Sequence, residues 1–164
     1  MSLTKVTEQD IESVSNQLGR PARDIVAIAA RCVCGNPVVV QTKPRLEDGT
    51  PFPTVYYLTL PAATSAVSTL EATGLMLELQ NRLAEEPVLA AAYAAAHESY
   101  LADRKLLGEV EEIDGISAGG MPLRVKCLHS LVAHSLAKGP GLNPIGDLAL
   151  EVCSWSPDRC VCEK

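Results

Sequence analysis

Hydrophobic and polar residues alternate in two different ways along the chain, and the change falls near residue 60. Before it, β-branched and aromatic residues are grouped in three short runs, at residues 24–31, 37–43 and 54–60. The runs are separated by turn-forming segments, which are too short for the crossover connection that parallel strands require. We therefore predict an antiparallel meander of three strands within residues 25–60.

Helical spacing of apolar residues surrounds this meander. Thr7, with Asp10 three residues later, is a capping-box variant that predicts an N-terminal helix over residues 7–18. From residue 62 to residue 152, apolar residues recur every three or four positions. This part is predicted to contain helices at residues 62–86 with a break at Gly74, at 87–107, at 122–137 and at 144–152, the last capped by Asn143.

Two segments show neither pattern. Residues 108–121 combine acidic residues with glycines, which predicts an acidic loop. Residues 153–164 predict an irregular tail that carries cysteines. The predicted fold class is therefore α+β, with a short antiparallel β-meander packed against a helical C-terminal part in one domain over residues 1–164.

Composition and charge narrow the choice of partners. Hydrophobic residues make up 47% of the chain and charged residues 21%, which is the composition of a folded globular protein. A net charge of −6 gives no overall attraction to nucleic acid or anionic lipid, and one Trp and one Phe are too few for a base-stacking platform. The sequence shows no signal-peptide core and no apolar stretch of membrane-spanning length. We expect a cytoplasmic protein that binds neither nucleic acid nor membrane.

Several motifs in this chain resemble those of a known family. They are Arg31-Cys32 with Gly35 and Pro37, the run 44–54, and the run 119–129 continued by Ala133-His134 and Asn143-Pro144. Over residues 20–150, the chain resembles the domain-of-unknown-function family number 501. The members of this family are small bacterial proteins found mainly in actinobacteria. Cys34 departs from the family pattern, which has an aromatic residue there. The resemblance implies no activity, but neighbouring genes for a septum-formation protein and an exopolyphosphatase imply a link to cell-envelope or phosphate metabolism.

The glycine-rich entry to the helix predicted at Pro122 is the first candidate site. The first backbone N–H groups of a helix lack intrahelical partners, and Met121 offers no side-chain oxygen to cap them. Two cations fall in the first turns, where the helix dipole disfavours them unless an anion is near. The pattern predicts a phosphate or carboxylate ligand, or alternatively a side chain of the acidic loop, Glu111, Glu112 or Asp114, or water alone in its place. The candidate contacts are Gly119, Gly120, Arg124, Lys126, Lys43 and Arg45.

The helix predicted at residues 87–107 carries a second candidate. His97, Tyr100 and Arg104 are spaced three and four apart, so they lie along one side of the helix. They could supply an acid or base, a hydroxyl group and an anion-binding cation, but a packed core histidine explains the same spacing. His129 has the same two interpretations, because it lies at the edge of an apolar stripe.

Six cysteines raise the question of metal binding, and the missing secretion signal favours reduced thiols over disulfides. The pairs 32/34 and 160/162 are both Cys-x-Cys, so a structural zinc site with four thiolates is an alternative, although Cys-x-x-Cys is the more usual spacing. Buried or incidental free thiols are the preferred interpretation, with no cofactor predicted. If a metal is bound, the first candidate ligands are Cys32, Cys34, Cys127 and Cys160.

The function that these features favour is the binding of an anionic metabolite, phosphorylated or carboxylate, beside the predicted Pro122 helix. Two other classes stay open. One is a protein–protein adaptor whose interaction surface is formed by residues 44–54 and the alanine-rich helices. The other is an enzyme whose reaction and catalytic residues the sequence does not identify. A deep pocket favours ligand binding or catalysis, whereas a flat apolar patch favours the adaptor.

Overall fold

The computed structural model describes residues 3–163, and its elements confirm the predicted α+β class. A short 3-10 helix, Glu111–Ile113, lies between the fourth and fifth α-helices. In chain order the main elements are α1 (Glu8–Leu18), β1 (Ile25–Arg31), β2 (Pro37–Thr42), β3 (Tyr56–Leu58), α2 (Pro61–Glu71), α3 (Leu75–Glu85), α4 (Pro87–Leu107), α5 (Leu128–Lys138) and α6 (Pro144–Val152).

The three strands form one antiparallel sheet in the order β1–β2–β3, as the short connections predict. Ile28 of β1 lies opposite Val40 of β2, and Val40 lies opposite Tyr57 of β3. Thr4 adds a bridge at the free edge of β1, because its backbone exchanges two hydrogen bonds of 2.9 Å with Ile28. The third strand is shorter than the run that predicted it.

Both faces of the sheet are covered, so β2 is buried at every position. On one face, Ile28 and Val40 pack against Val14 of α1. On the other face, Val39 and Leu58 belong to the main core, which also contains most of α5. Burial on two sides explains why β2 reads as a continuous apolar run instead of an alternating one.

Helix α5 is the centre of the molecule. Its residues from Leu131 to Ala137 are all buried, and it contacts the sheet, α2 and α6. Even the polar side chains of His134 and Ser135 are buried in this part of the helix. The residues just before it are therefore held close to the core.

Several predicted helix boundaries are confirmed. The capping box of Thr7 and Asp10 starts α1, and the side chain of Asn143 caps α6 by accepting the Gly146 N–H at 3.0 Å. Gly74 separates α2 from α3. These boundaries depend on local chemistry, which sequence patterns capture well.

The prediction that a helix begins at Pro122 is wrong, because α5 begins at Leu128. The side-chain amide of Gln80 donates to the carbonyl of Leu123 and accepts from the N–H of Val125, each at 2.9 Å. The Tyr93 hydroxyl donates to the carbonyl of Arg124 at 2.8 Å. These side chains satisfy backbone groups that a helix would have paired internally, so the segment before α5 stays irregular.

The longest helix, α4, has 21 residues but includes Glu98, Asp103 and Arg104. Across residues 3–163, no helix combines the length and the apolar composition that a membrane crossing needs.

Candidate metal centre

Four cysteine thiols from distant parts of the sequence converge at one place. Cys32 and Cys34 lie in the turn that joins β1 to β2, and Cys160 and Cys162 lie in the tail after α6. The four Sγ atoms all lie within 4.8 Å of one another. Four thiols at this separation are the donor set of a tetrahedral zinc site.

The β1–β2 turn supplies two of these thiols because it reverses tightly. The amide of Cys32 donates to the carbonyl of Asn36 at 2.9 Å, and the amide of Gly35 donates to the carbonyl of Cys32 at 2.8 Å. Gly35 has a φ of 95°, a conformation that glycine adopts without strain. The turn thus fixes the backbone on both sides of Cys34.

The tail reaches this turn without helix or strand in residues 153–163. Its backbone hydrogen bonds are local, such as that from Arg159 N–H to the Ser156 carbonyl at 3.3 Å. Trp155 is only 5% exposed and joins the main core, against which Cys162 also packs. Cys153 and Trp155 thus attach the start of the tail to the core, and the cysteine cluster lies near its end.

The thiols of the cluster differ in proton affinity. A hydrogen bond from the backbone N–H of Asn36 is the main cause that lowers the pKa of Cys34 to about 7. Burial raises the pKa of Cys32 to about 12 and also raises the pKa of Cys162. Without a cation, Cys34 therefore gives up its proton more readily than Cys32 or Cys162. A bound divalent cation would displace the remaining protons.

The four-thiol cluster includes three of the four candidate metal ligands named from the sequence, Cys32, Cys34 and Cys160. The fourth sulfur belongs to Cys162, whereas Cys127 lies elsewhere. The alternative zinc site considered from the two Cys-x-Cys pairs consists of the same four cysteines, because each pair supplies both of its thiols. The path of an irregular tail was the missing information.

Cys127 takes part in a second cluster, with Glu71 and His129. One ligand atom from each, a thiol sulfur, an imidazole nitrogen and a carboxylate oxygen, lies within 4.8 Å of the others. His129 Nδ1 is 2.7 Å from Glu71 Oε1, and the Glu71 Oε2 accepts the N–H of Leu128 at 3.1 Å. Glu71 ends α2 and Cys127 precedes α5, so the packing of these two helices creates the cluster.

The second cluster also shifts proton affinities. A hydrogen bond with Cys127 is the main cause that raises the pKa of His129, with a smaller contribution from the charge of Glu71. Burial alone would raise the pKa of Cys127, but hydrogen bonds from His129 and Ser130 outweigh it and lower the pKa. Sequence reasoning missed Glu71, which is distant in the chain. The available signal was the Cys127-x-His129 pair, which fell inside the helix predicted at residues 122–137.

Residues 28–151 match the family described as "Protein of unknown function (DUF501)". The chain belongs to this family. The match confirms the resemblance found in the sequence. It covers Cys32, Cys34 and the whole second cluster, and it ends before the two tail cysteines of the first cluster. No curated protein and no solved structure matches the chain.

The predicted anion site of this DUF501 protein loses its structural basis, because no helix begins at Pro122. Gly119 and Gly120 instead close a loop, and their carbonyls accept the N–H groups of Lys126 at 2.8 Å and Arg124 at 2.9 Å. A Cβ atom on Gly120 would lie 2.6 Å from the Arg124 carbonyl oxygen, which explains the glycine. Arg124 and Lys126 are exposed, and neither forms a salt bridge with any residue in the range 3–163.

Lys43 and Arg45 were the other two cations predicted to contact the anion in this DUF501 protein. The Arg45 guanidinium pairs with Glu112 of the acidic loop at 2.7 Å. Lys43 is exposed at the end of β2. Backbone hydrogen bonds thus join Gly119 and Gly120 to Lys126 and Arg124, whereas Arg45 pairs with Glu112 instead.

The three candidate residues on α4, His97, Tyr100 and Arg104, occupy structural positions in this DUF501 protein. His97 Nδ1 is 2.7 Å from Ser117 Oγ, and the Tyr100 hydroxyl accepts the N–H of Tyr56 at 3.3 Å. Arg104 is 6% exposed and donates to backbone carbonyls, including that of Ile113 at 2.7 Å. These contacts fasten the acidic loop and β3 to α4 and turn all three side chains inward.

Proposed function

We propose that this DUF501 protein is a zinc protein in which Cys32, Cys34, Cys160 and Cys162 bind one Zn²⁺ ion at a structural centre. The observation that carries the proposal is the mutual separation of the four Sγ atoms, which is at most 4.8 Å. Around a tetrahedral Zn²⁺ with Zn–S bonds of about 2.3 Å, the sulfurs are about 3.8 Å apart. The cluster needs to contract by no more than about 1 Å to reach this geometry.

The donor set favours zinc over the other common divalent cations. Thiolates are soft ligands, whereas magnesium and calcium prefer oxygen atoms. Four protein ligands complete a tetrahedral shell, so no position is left for a substrate or a water molecule. The centre is therefore structural, and its role is to fix the tail after α6 to the β1–β2 turn.

The zinc content of purified variants tests the proposal. The double variant Cys160→Ala/Cys162→Ala removes half of the ligands, and Cys153→Ala is the matched control, because Cys153 lies in the same tail outside both clusters. Protein purified under reducing conditions should lose one zinc equivalent in the double variant and none in the control. Equal zinc contents in the two variants, or cysteines 32, 34, 160 and 162 found as disulfides by mass, would contradict the proposal.

Anion binding is a weaker candidate for this protein. Its remaining support is the exposure of two cations, Arg124 and Lys126, without a salt-bridge partner in residues 3–163. Exposed lysine and arginine side chains are commonly solvated by water alone. The helix dipole and the free backbone donors that motivated the hypothesis are missing at Pro122. Zinc binding depends on four convergent donors and is the stronger conclusion.

A further inference from the structure

The cluster of Glu71, Cys127 and His129 lies outside the four-thiol centre and belongs to different elements. The side chain of His129 is 29% exposed and that of Glu71 is 22% exposed, so the cluster is half-buried and open to solvent on one side. Its three donors are a sulfur, a nitrogen and an oxygen, all within 4.8 Å of one another. This cluster does not depend on the four-thiol centre for its geometry.

The hydrogen bonds of the His129 ring define which nitrogen is free. Nε2 lies 3.2 Å from the carbonyl oxygen of Thr64 and 3.1 Å from Ser68 Oγ. A carbonyl oxygen can only accept, so Nε2 carries a proton. Nδ1 then faces the Glu71 carboxylate with either a second proton or a lone pair available for a cation.

This arrangement differs from a nucleophile–histidine–acid triad. In such a triad, the carboxylate and the nucleophile bond to opposite ring nitrogens of the histidine. Here the nitrogen opposite Glu71 is already bonded to α2 through Thr64 and Ser68, so it is not available to Cys127. A ring whose outer N–H is anchored on a carbonyl is instead the usual support of a metal-binding histidine.

The other two donors are also held in place. Glu71 Oε2 accepts the N–H of Leu128 at 3.1 Å, which leaves Oε1 directed at the His129 ring. The Cys127 sulfur accepts the hydroxyl hydrogen of Ser130 at 3.6 Å. Each donor therefore has a second contact that fixes its orientation, as metal ligands in proteins usually have.

We propose that Glu71, Cys127 and His129 form a second metal site that binds Zn²⁺ with three protein ligands and one open position. One thiolate, one imidazole and one carboxylate suit zinc better than magnesium or calcium. In residues 3–163, no fourth His, Cys, Asp or Glu joins the cluster. The open position takes a water molecule or a small coordinating anion, as in zinc sites that bind exchangeable ligands.

Zinc protection of Cys127 in the wild-type protein tests this proposal without any variant. The full chain is treated with an alkylating reagent in the presence of a chelator or of added Zn²⁺, and modification of each cysteine is followed by peptide mass spectrometry. Zn²⁺ should slow the alkylation of Cys127 more than about tenfold, because coordination to the cation withdraws electron density from the sulfur that attacks the reagent. An unchanged rate at Cys127 would overturn the proposal.

Binding of Zn²⁺ to variants separates this site from the four-thiol centre. The variant Cys127→Ala/His129→Ala should bind one equivalent less than the wild type, and Cys160→Ala/Cys162→Ala should also bind one less, so the two losses add. Loss in the tail variant alone would overturn the second site and leave the first intact. Loss in the Cys127/His129 variant alone would support the second site and contradict the four-thiol centre.

Discussion

Replacing Cys160 and Cys162 by alanine should release the end of the tail and lower the free energy of unfolding. With zinc bound, the centre ties the tail to the β1–β2 turn. The metal is released when the chain unfolds, so its free energy of binding to the folded state adds to the stability. At a free zinc concentration of about 100 to 1,000 times the dissociation constant, this contribution is about 3 to 4 kcal/mol. We therefore expect the double variant to lose about 3 to 4 kcal/mol when free zinc is kept in that range.

A loss of this size is a large share of the stability of a small protein, which is typically about 5 to 15 kcal/mol. It can be measured by urea unfolding monitored with two signals. Trp155 is the single tryptophan of the chain, so its fluorescence reports on the tail, whereas circular dichroism reports on the helices. In the wild type the two transitions should coincide. In the double variant the fluorescence transition should occur at lower urea concentration.

The control Cys153→Ala keeps all four ligands and should behave like the wild type, apart from the small loss caused by a truncated, half-buried side chain. In the variant Cys127→Ala/His129→Ala, which keeps only the four-thiol centre, removal of zinc by a chelator should separate the two transitions as the double substitution in the tail does. An unchanged urea midpoint, with coincident transitions in the double variant, would refute the view that the centre holds the tail.

Three further predictions follow from other contacts. Burial lowers the pKa of His134 to about 4 from its usual 6.5, so the unfolded chain binds the proton at a higher pH than the folded chain does. The free energy of unfolding should therefore fall by about 2 kcal/mol between about pH 7 and pH 5. Urea midpoints measure this loss, and a midpoint independent of pH would contradict it. Gln80→Ala should cost about 1 to 2 kcal/mol and speed hydrogen exchange at the Val125 N–H; unchanged exchange would contradict the hydrogen bond. Ser68→Ala should weaken zinc binding at the second site by about 10- to 100-fold in a metal competition assay, because Ser68 is hydrogen-bonded to the His129 ring. The control Ser65→Ala, at an exposed position of the same helix, should have no effect. Equal zinc affinities of the Ser68→Ala variant and the wild type would contradict a supporting role for Ser68.

Local signals in the sequence were enough for most of the fold. The β-branched runs predicted the strands, and short connections predicted their antiparallel pairing. Thr7, Gly74 and Asn143 marked helix boundaries because capping and helix breaking depend on the residue itself and its near neighbours. These features need no information about the rest of the chain.

The segment before α5 shows why other features were missed. Its apolar spacing resembles a helix, but Gln80 and Tyr93, which are distant in the chain, bond to its backbone and keep it irregular. The predicted anion site depended on that helix and lost its basis with it. Side-chain bonds to a distant backbone leave no trace in local periodicity.

The two metal clusters were visible in the sequence only in part. Cys-x-Cys pairs are recognisable, but whether two pairs meet depends on the path of an irregular tail. The pairing of Glu71 with His129 depends on how α2 packs against α5. Cys127 was therefore grouped with the wrong partners, although its choice as a candidate metal ligand is retained in our second proposal.

The most direct test of the four-thiol centre is the number of sulfur ligands around bound zinc, measured by X-ray absorption spectroscopy. The protein should carry Cys127→Ala and His129→Ala, so that zinc at the second site does not contribute to the spectrum. We predict four sulfur neighbours at about 2.3 Å and no nitrogen or oxygen neighbour. Fewer than four sulfurs, a nitrogen or oxygen ligand, or a protein that retains no zinc under reducing conditions would contradict the account.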